Sequence, residues 1–190
     1  SPLRKNWEVA VSKPLDVLVI TPPSRVQVYQ ELSRDFAAIE PPVWSGLIAT
    51  FLRQHSCSVA ILDAEAEGLN HQQTADRIAA IAPRLAVFVI YGQQPSASTQ
   101  CMPAGRKVCE ILTALADIPT LVMGTHPSAL PKRTLLDEPY TYVCQGEGPA
   151  TILGLVIALR APQHSLREVP GLWHMEKGVP VGNAPAQLLT

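Results

Sequence analysis

Short apolar runs recur along the chain: Asp16 to Ile20 (DVLVI), Val59 to Leu62, Leu85 to Ile90 (LAVFVI), Leu121 to Met123 and Tyr142 to Cys144. They predict strands, and Leu85 to Ile90, which has no alternation, a central strand covered on both faces. Helical patterns lie between them. Pro41-Pro42 opens WSGLIATFLRQH, which places Val43, Leu47, Phe51 and Leu52 on one helical face. Asn70 to Ala82 reads as a helix with Ile78 and Ile81 inward, stopped at Pro83. Pro103 to Ala116 reads as a third helix, Ala129 to Leu136 as a short helix or turn, and Pro149 to Arg160 as a helix apolar enough to pack between the sheet and another layer.

Strands alternating with helices of this length predict right-handed crossovers. The expected fold is α/β, a doubly wound, Rossmann-like parallel sheet of five strands with helices on both faces. From Ala161 the character changes: PQHSLREVP reads as a linker, and GLWHMEKGVPVGN as a C-terminal β-hairpin turning at Lys177-Gly178. Residues 1–160 are thus expected to form the domain, and 161–190 a linker and hairpin.

Composition narrows the function classes. With 190 residues, 47% apolar and only 16% charged, the chain suits one well-buried domain plus a short appendage. A net charge of −1 with no Lys/Arg cluster argues against nucleic acid as a partner. The longest apolar run, Ile152 to Leu159, is far below the roughly 20 residues of a membrane span. The N-terminus lacks the apolar core of a secretion signal, so no membrane association and a cytoplasmic location are expected. Four cysteines, Cys57, Cys101, Cys109 and Cys144, have neither zinc-site spacing nor disulfide density and read as reduced, buried thiols. The chain begins without Met and ends at Leu188-Leu189-Thr190, so it reads as an excised piece of something longer.

The candidate chemistry lies where strands end. A dinucleotide fold would follow its first strand with Gly-x-Gly-x-x-Gly, whereas here stand Thr21-Pro22-Pro23-Ser24, which argues against NAD or FAD. Without that fingerprint Asp63 and Glu65 read as loop or cap residues. After the third strand comes Tyr91-Gly92-Gln93-Gln94-Pro95-Ser96-Ala97-Ser98-Thr99, rich in hydroxyls and amides. After the fourth comes Gly124-Thr125-His126-Pro127-Ser128, and after the fifth Gln145-Gly146-Glu147-Gly148. In open parallel sheets ligands sit beyond the carboxyl ends of strands, and glycines there let the backbone come close. Trp44 reads as an anchor for its helix start. No nucleophile and base pair, paired carboxylates or metal cluster stands out: Cys109-Glu110 and Asp137-Glu138 have no spaced partner, so no residue is assigned a catalytic or metal-binding role.

These loops resemble the N-terminal cobalamin-binding domain of cobalamin-dependent radical S-adenosylmethionine (SAM) enzymes. The matching features are the Pro22-Pro23 pair after the first strand, Pro41-Pro42 with Gly46-Leu47 entering the first helix, Gly124-x-His126-Pro127 after the fourth strand and Gly146-Glu147-Gly148 opening the last helix. The resemblance implies that cobalamin contacts Thr21, Pro22, Ser24, Tyr91, Gly92, Gln93, Gln94, Ser96, Ser98, Thr99, Gly124, Thr125, His126, Pro127, Gln145, Gly146, Glu147 and Gly148. Its neutral carboxamide rim calls for hydroxyl, amide and backbone partners rather than charges.

The Asp-x-His-x-x-Gly of the mutases and methionine synthase is missing from the first loop. Cobalamin is therefore expected base-off with no protein histidine below cobalt, the lower face being nearest Tyr91, Gln93 and Gln94. His126 is expected to bond locally, and His55, His71, His164 and His174 to face solvent. No CxxxCxxC triplet is present, so SAM, the iron-sulfur cluster and the chemistry, methyl transfer or a related radical reaction, are expected in a radical SAM domain of the same polypeptide absent from this chain. The alternative is a flavodoxin-like nucleotide-binding or docking module without cobalamin.

Overall fold

In the computed structural model, residues 14–24, 41–91, 95–161 and 163–187 are described. Five strands, β1 (Val17–Thr21), β2 (Val59–Asp63), β3 (Leu85–Ile90), β4 (Thr120–Gly124) and β5 (Tyr142–Cys144), run parallel in the order β2-β1-β3-β4-β5. β6 (Leu172–Glu176) and β7 (Val179–Gly182) continue the same sheet antiparallel.

The sheet therefore has seven strands, not five. The hairpin is no appendage: Tyr142, Val143 and Cys144 pair with His174, Trp173 and Leu172. Its turn is the expected Lys177-Gly178, both at positive φ, which matches the twist of a two-residue hairpin.

The apolar runs work as strands covered twice. Val17, Val19, Val87, Leu121 and Cys144 point to one core, and Leu18, Ile20, Phe88, Val122 and Val143 to the other. The first core is closed by α1 (Val43–Gln54) and by the last helix, α6 (Pro149–Arg160). α2 (His71–Ile81), α3 (Pro95–Leu115) and α5 (Pro131–Asp137) close the second, with α4 (Thr125–Ala129) leading into α5. Residues Val169-Pro170 lie over Gly154 on the outer side of α6, the second layer its apolarity called for. Asn70 caps α2 in a reciprocal capping box with Gln73.

Two helices differ from expectation. α1 buries Ser45, Ile48, Ala49 and Leu52, leaving Val43 and Leu47 exposed, so its buried stripe is displaced from the one that spacing suggests. α3 starts at Pro95 rather than Pro103, because Ser98, Cys101 and Met102 are buried and packing continues the helix through the internal proline. All four cysteines are free and buried, and among the described residues no helix is long and apolar enough to cross a membrane.

Candidate functional site

The order β2-β1-β3 makes a topological switch point between β1 and β3, and in open parallel sheets ligands bind in the crevice beyond the carboxyl ends of the strands at such a point. The first rim segment is Thr21 to Ser24. Side chains from three helices surround it: the Thr21 and Ser45 hydroxyls lie 3.4 Å apart, the His71 imidazole lies near the Pro23 backbone, and Ser24 lies near the Cys101 thiol. Burial, together with the nearby Lys107 charge, lowers the His71 pKa. Pro22 and Pro23 offer no backbone N–H, so this loop cannot cradle a phosphate with backbone donors as a glycine loop does.

The second segment follows β3. Tyr91 is half-buried, and its ring stacks on Trp44 with centroids 4.8 Å apart and planes 20° apart. Burial pushes its phenol up to about 12, with Cys144 and Glu147 adding to the effect, so it is a neutral hydroxyl at any physiological pH. Trp44 anchors the helix start through this stack yet keeps 47% exposure. Gly92, Gln93 and Gln94, and the side chain of Ser96, lie outside the described residues. Ser98 is fully buried: its hydroxyl donates to the Ile90 carbonyl at 2.6 Å and accepts from the His126 amide at 3.1 Å. Thr99, on the exposed side, shares a 2.9 Å hydrogen bond with His126 Nδ1.

The third segment, after β4, meets the second. Gly124 has φ of +149°, and an added Cβ would collide with the Ile90 carbonyl oxygen and crowd the Ser98 hydroxyl. Thr125 is exposed, His126 partly buried and Pro127 buried. The bond to Thr99 is the local role expected of His126. Of the other histidines, His55 and His164 are exposed as expected, but His71 is half-buried and His174 is 4% exposed within β6. Both depart from expectation because their neighbours pack over them.

The fourth segment, Gln145 to Gly148, is turned by glycine. Gly146 has φ of +107°, and a Cβ added there would meet nothing within 4 Å, so its missing side chain leaves open space. Its amide donates to Ser128 Oγ at 2.8 Å, a brace between the loops after β4 and β5. Ser128, read within the loop after the fourth strand, was not among the expected contacts, because nothing local in the sequence pairs it with Gly146. Gln145 is engaged by the hairpin: its amide donates to the Gly171 carbonyl, and its Oε1 accepts from Trp173 Nε1, both at 2.8 Å. Glu147 is exposed, and Gly148 backs onto the Met123 side chain.

Thus Thr21, Pro22, Ser24, Tyr91, Ser98, Thr99, Gly124 to Pro127 and Gln145 to Gly148 gather at one edge of the sheet, where Glu147 is the one carboxylate among them and none is Lys or Arg. Beside His126 lies a cavity of about 300 Å³, also lined by Leu130, Arg133 and Thr134. Among the described residues no group of three or more His, Cys, Asp or Glu side chains could hold a metal ion. The edge offers hydroxyls, amides and backbone groups, a set suited to a large neutral ligand rather than to an anion or a bare cation.

Residues 32–156 match the family model of the B12 binding domain. No curated protein matches the chain in sequence. Among solved structures it is similar to the radical SAM methyltransferase TsrM from Kitasatospora setae, solved with tryptophan substrate and a SAM analogue, at 18% identity and a TM-score of 0.72. That match covers 92% of this chain and 31% of TsrM. It is also similar to the cobalamin-dependent SAM radical enzyme OxsB with aqua-cobalamin and SAM bound, at 17% identity and a TM-score of 0.67, over 92% of this chain and 23% of OxsB. The chain thus spans under a third of the length of either enzyme, and the likeness is one of fold.

Proposed function

Because the chain belongs to the B12-binding domain family, its model matching 32–156 of 190 residues, we propose that the crevice beyond β1, β3, β4 and β5 holds cobalamin. The observation that carries this reading is the neutral rim at the β1/β3 switch, where Gly146 turns at positive φ toward open space. A corrin surrounded by carboxamides finds hydroxyl partners in Thr21 and Thr99, an imidazole in His126 and backbone groups in Gly146 and Glu147. Bound cobalamin supplies cobalt–carbon bond chemistry that no amino-acid side chain provides.

We infer further that the cofactor is held base-off, without a protein histidine on cobalt. Supporting this, the loop after β1 carries two prolines and no histidine, and His126 directs Nδ1 at Thr99. Tyr91, beside the switch point, is a neutral phenol and a poor cobalt ligand. The residues of this chain bind and orient the cofactor. SAM, an iron-sulfur cluster and methyl transfer or a related radical reaction belong, in this reading, to a radical SAM domain of the same polypeptide, outside this chain.

The test is to mix purified protein with hydroxocobalamin and desalt it. A retained corrin spectrum at one cobalamin per chain supports the reading, and a base-off spectrum supports its second part. Colourless protein that is thermally stabilised by a flavin or adenine nucleotide would favour a flavodoxin-like module instead.

A further inference from the structure

Ser98, in the first turn of α3, does a different task from its neighbours. Ser98 is fully buried, so a ligand in the crevice cannot touch it. Both roles of its hydroxyl are spent within the protein, as donor to the Ile90 carbonyl and as acceptor from the His126 amide. The first bond ties the start of α3 back to the end of β3 across eight residues. The second ties the start of α3 to the start of α4, 28 residues further on. Gly124 makes the approach possible, since a side chain there would force the Ile90 carbonyl and the Ser98 hydroxyl apart. Thr99 and His126, the outward neighbours of this clasp, then meet through their own hydrogen bond.

We propose that Ser98 is a positioning residue: its hydroxyl locks the end of β3 and the starts of α3 and α4 into one unit, and cofactor affinity depends on it although the cofactor never reaches it. This rests on the reading of the crevice as a cobalamin site. The physical reason is preorganisation, because contacts on separate loops bind well only when their relative placement is fixed beforehand.

The experiment is a hydroxocobalamin titration followed by visible absorbance on the wild type, Ser98→Ala, His126→Ala, the double variant and Ser98→Cys. Arg160→Gln, which disturbs the opposite end of the sheet, controls for general loss of stability. Ser98→Ala is expected to bind at least tenfold more weakly. The double variant should bind no more weakly than the worse single variant, because both act through one unit, and Arg160→Gln should keep wild-type affinity. In cofactor-free protein, exchange of the His126 amide should rise at least tenfold in Ser98→Ala while the amides of Val87 and Val122 stay protected.

If Ser98→Ala does not fold, the near-isosteric Ser98→Cys, a much weaker donor and acceptor, must show the affinity loss and the raised His126 amide exchange. Wild-type affinity in Ser98→Ala or, failing its expression, in Ser98→Cys overturns the proposal, as does an additive double variant. Absence of cobalamin uptake by the wild type overturns the cofactor reading itself and the proposal with it.

Discussion

Arg160, the last residue of α6, grips Asp16 just before β1 through two hydrogen bonds, Nε to Oδ1 at 3.0 Å and Nη2 to Oδ2 at 2.6 Å. The Ser58 amide and hydroxyl also donate to Asp16 Oδ2, at 2.8 and 2.7 Å. This joins the last helix to the first two strands at the amino edge of the sheet, away from the crevice. Burial alone would raise the Asp16 pKa, but the bonds from Arg160 and Ser58 prevail and hold it well below the usual carboxylate range.

The sign of the pH dependence follows. A carboxyl whose pKa is depressed on folding contributes stability that is present above its unfolded value, about 3.9, and is lost as pH falls below that. Asp16→Asn should therefore lose about 2 kcal/mol at neutral pH, since it leaves a partly buried arginine without its anion, and should unfold with a shallower pH dependence below about 4. Denaturant melts from pH 7 to 2.5 check this, and an Asn variant as pH-sensitive as the wild type would contradict it.

Gly124 and Gly146 predict opposite outcomes. Gly124→Ala brings a Cβ against the Ile90 carbonyl and should cost at least about 3 kcal/mol or prevent folding. Gly146→Ala meets nothing and should cost only the strain of positive φ, about 1–2 kcal/mol. Chemical denaturation of both variants decides, and equal losses would count against the packing described.

The Trp44 and Tyr91 stack links the start of α1 to the end of β3. Trp44→Ala should remain folded and lose about 1 kcal/mol of stability, while exposing Tyr91 so that its phenol titrates nearer the ordinary value of about 10. In the wild type the phenol stays protonated up to about 12. The unfolded chain therefore releases this proton first, and stability falls as pH rises above about 10. Alkaline absorbance titrations, with Tyr91→Phe as the subtraction reference, report the shift, and an unchanged Tyr91 titration in Trp44→Ala would show that the stack does not bury it.

The hairpin gives a prediction of its own. Trp173→Phe removes the donor to Gln145 Oε1 and should cost about 1 kcal/mol while leaving the aromatic ring in place. Hydrogen exchange should then rise in β6, and at Gln145, whose amide bonds Gly171 beside it. Unaltered protection there would mean that the indole bond does not dock the hairpin.

The parallel strands were legible in sequence because burial on two faces leaves unbroken apolar runs such as LAVFVI, bounded by glycine and proline. The loops were legible for the same reason, as small polar residues placed straight after those runs. What escaped depends on partners distant in sequence. Val43 and Leu47 have core-like spacing, but the sheet selects Ser45 and Ile48 instead. Pro103 looks like a helix start, and only the burial of Ser98 and Met102 shows that the helix begins earlier. Gly124 looks like room for a ligand, yet the Ile90 carbonyl and Ser98, 26 residues before it, need that room. The hairpin strands were visible, but their joining the main sheet follows from pairing with Tyr142 to Cys144.

A titration of hydroxocobalamin into the wild type and Gly146→Trp tests the central claim most directly, because a Cβ there meets nothing within 4 Å and the substitution adds bulk beside the turn. The account predicts one cobalamin per wild-type chain and at least tenfold weaker binding by a variant that remains folded. No uptake by the wild type, or equal uptake by both proteins, would contradict it.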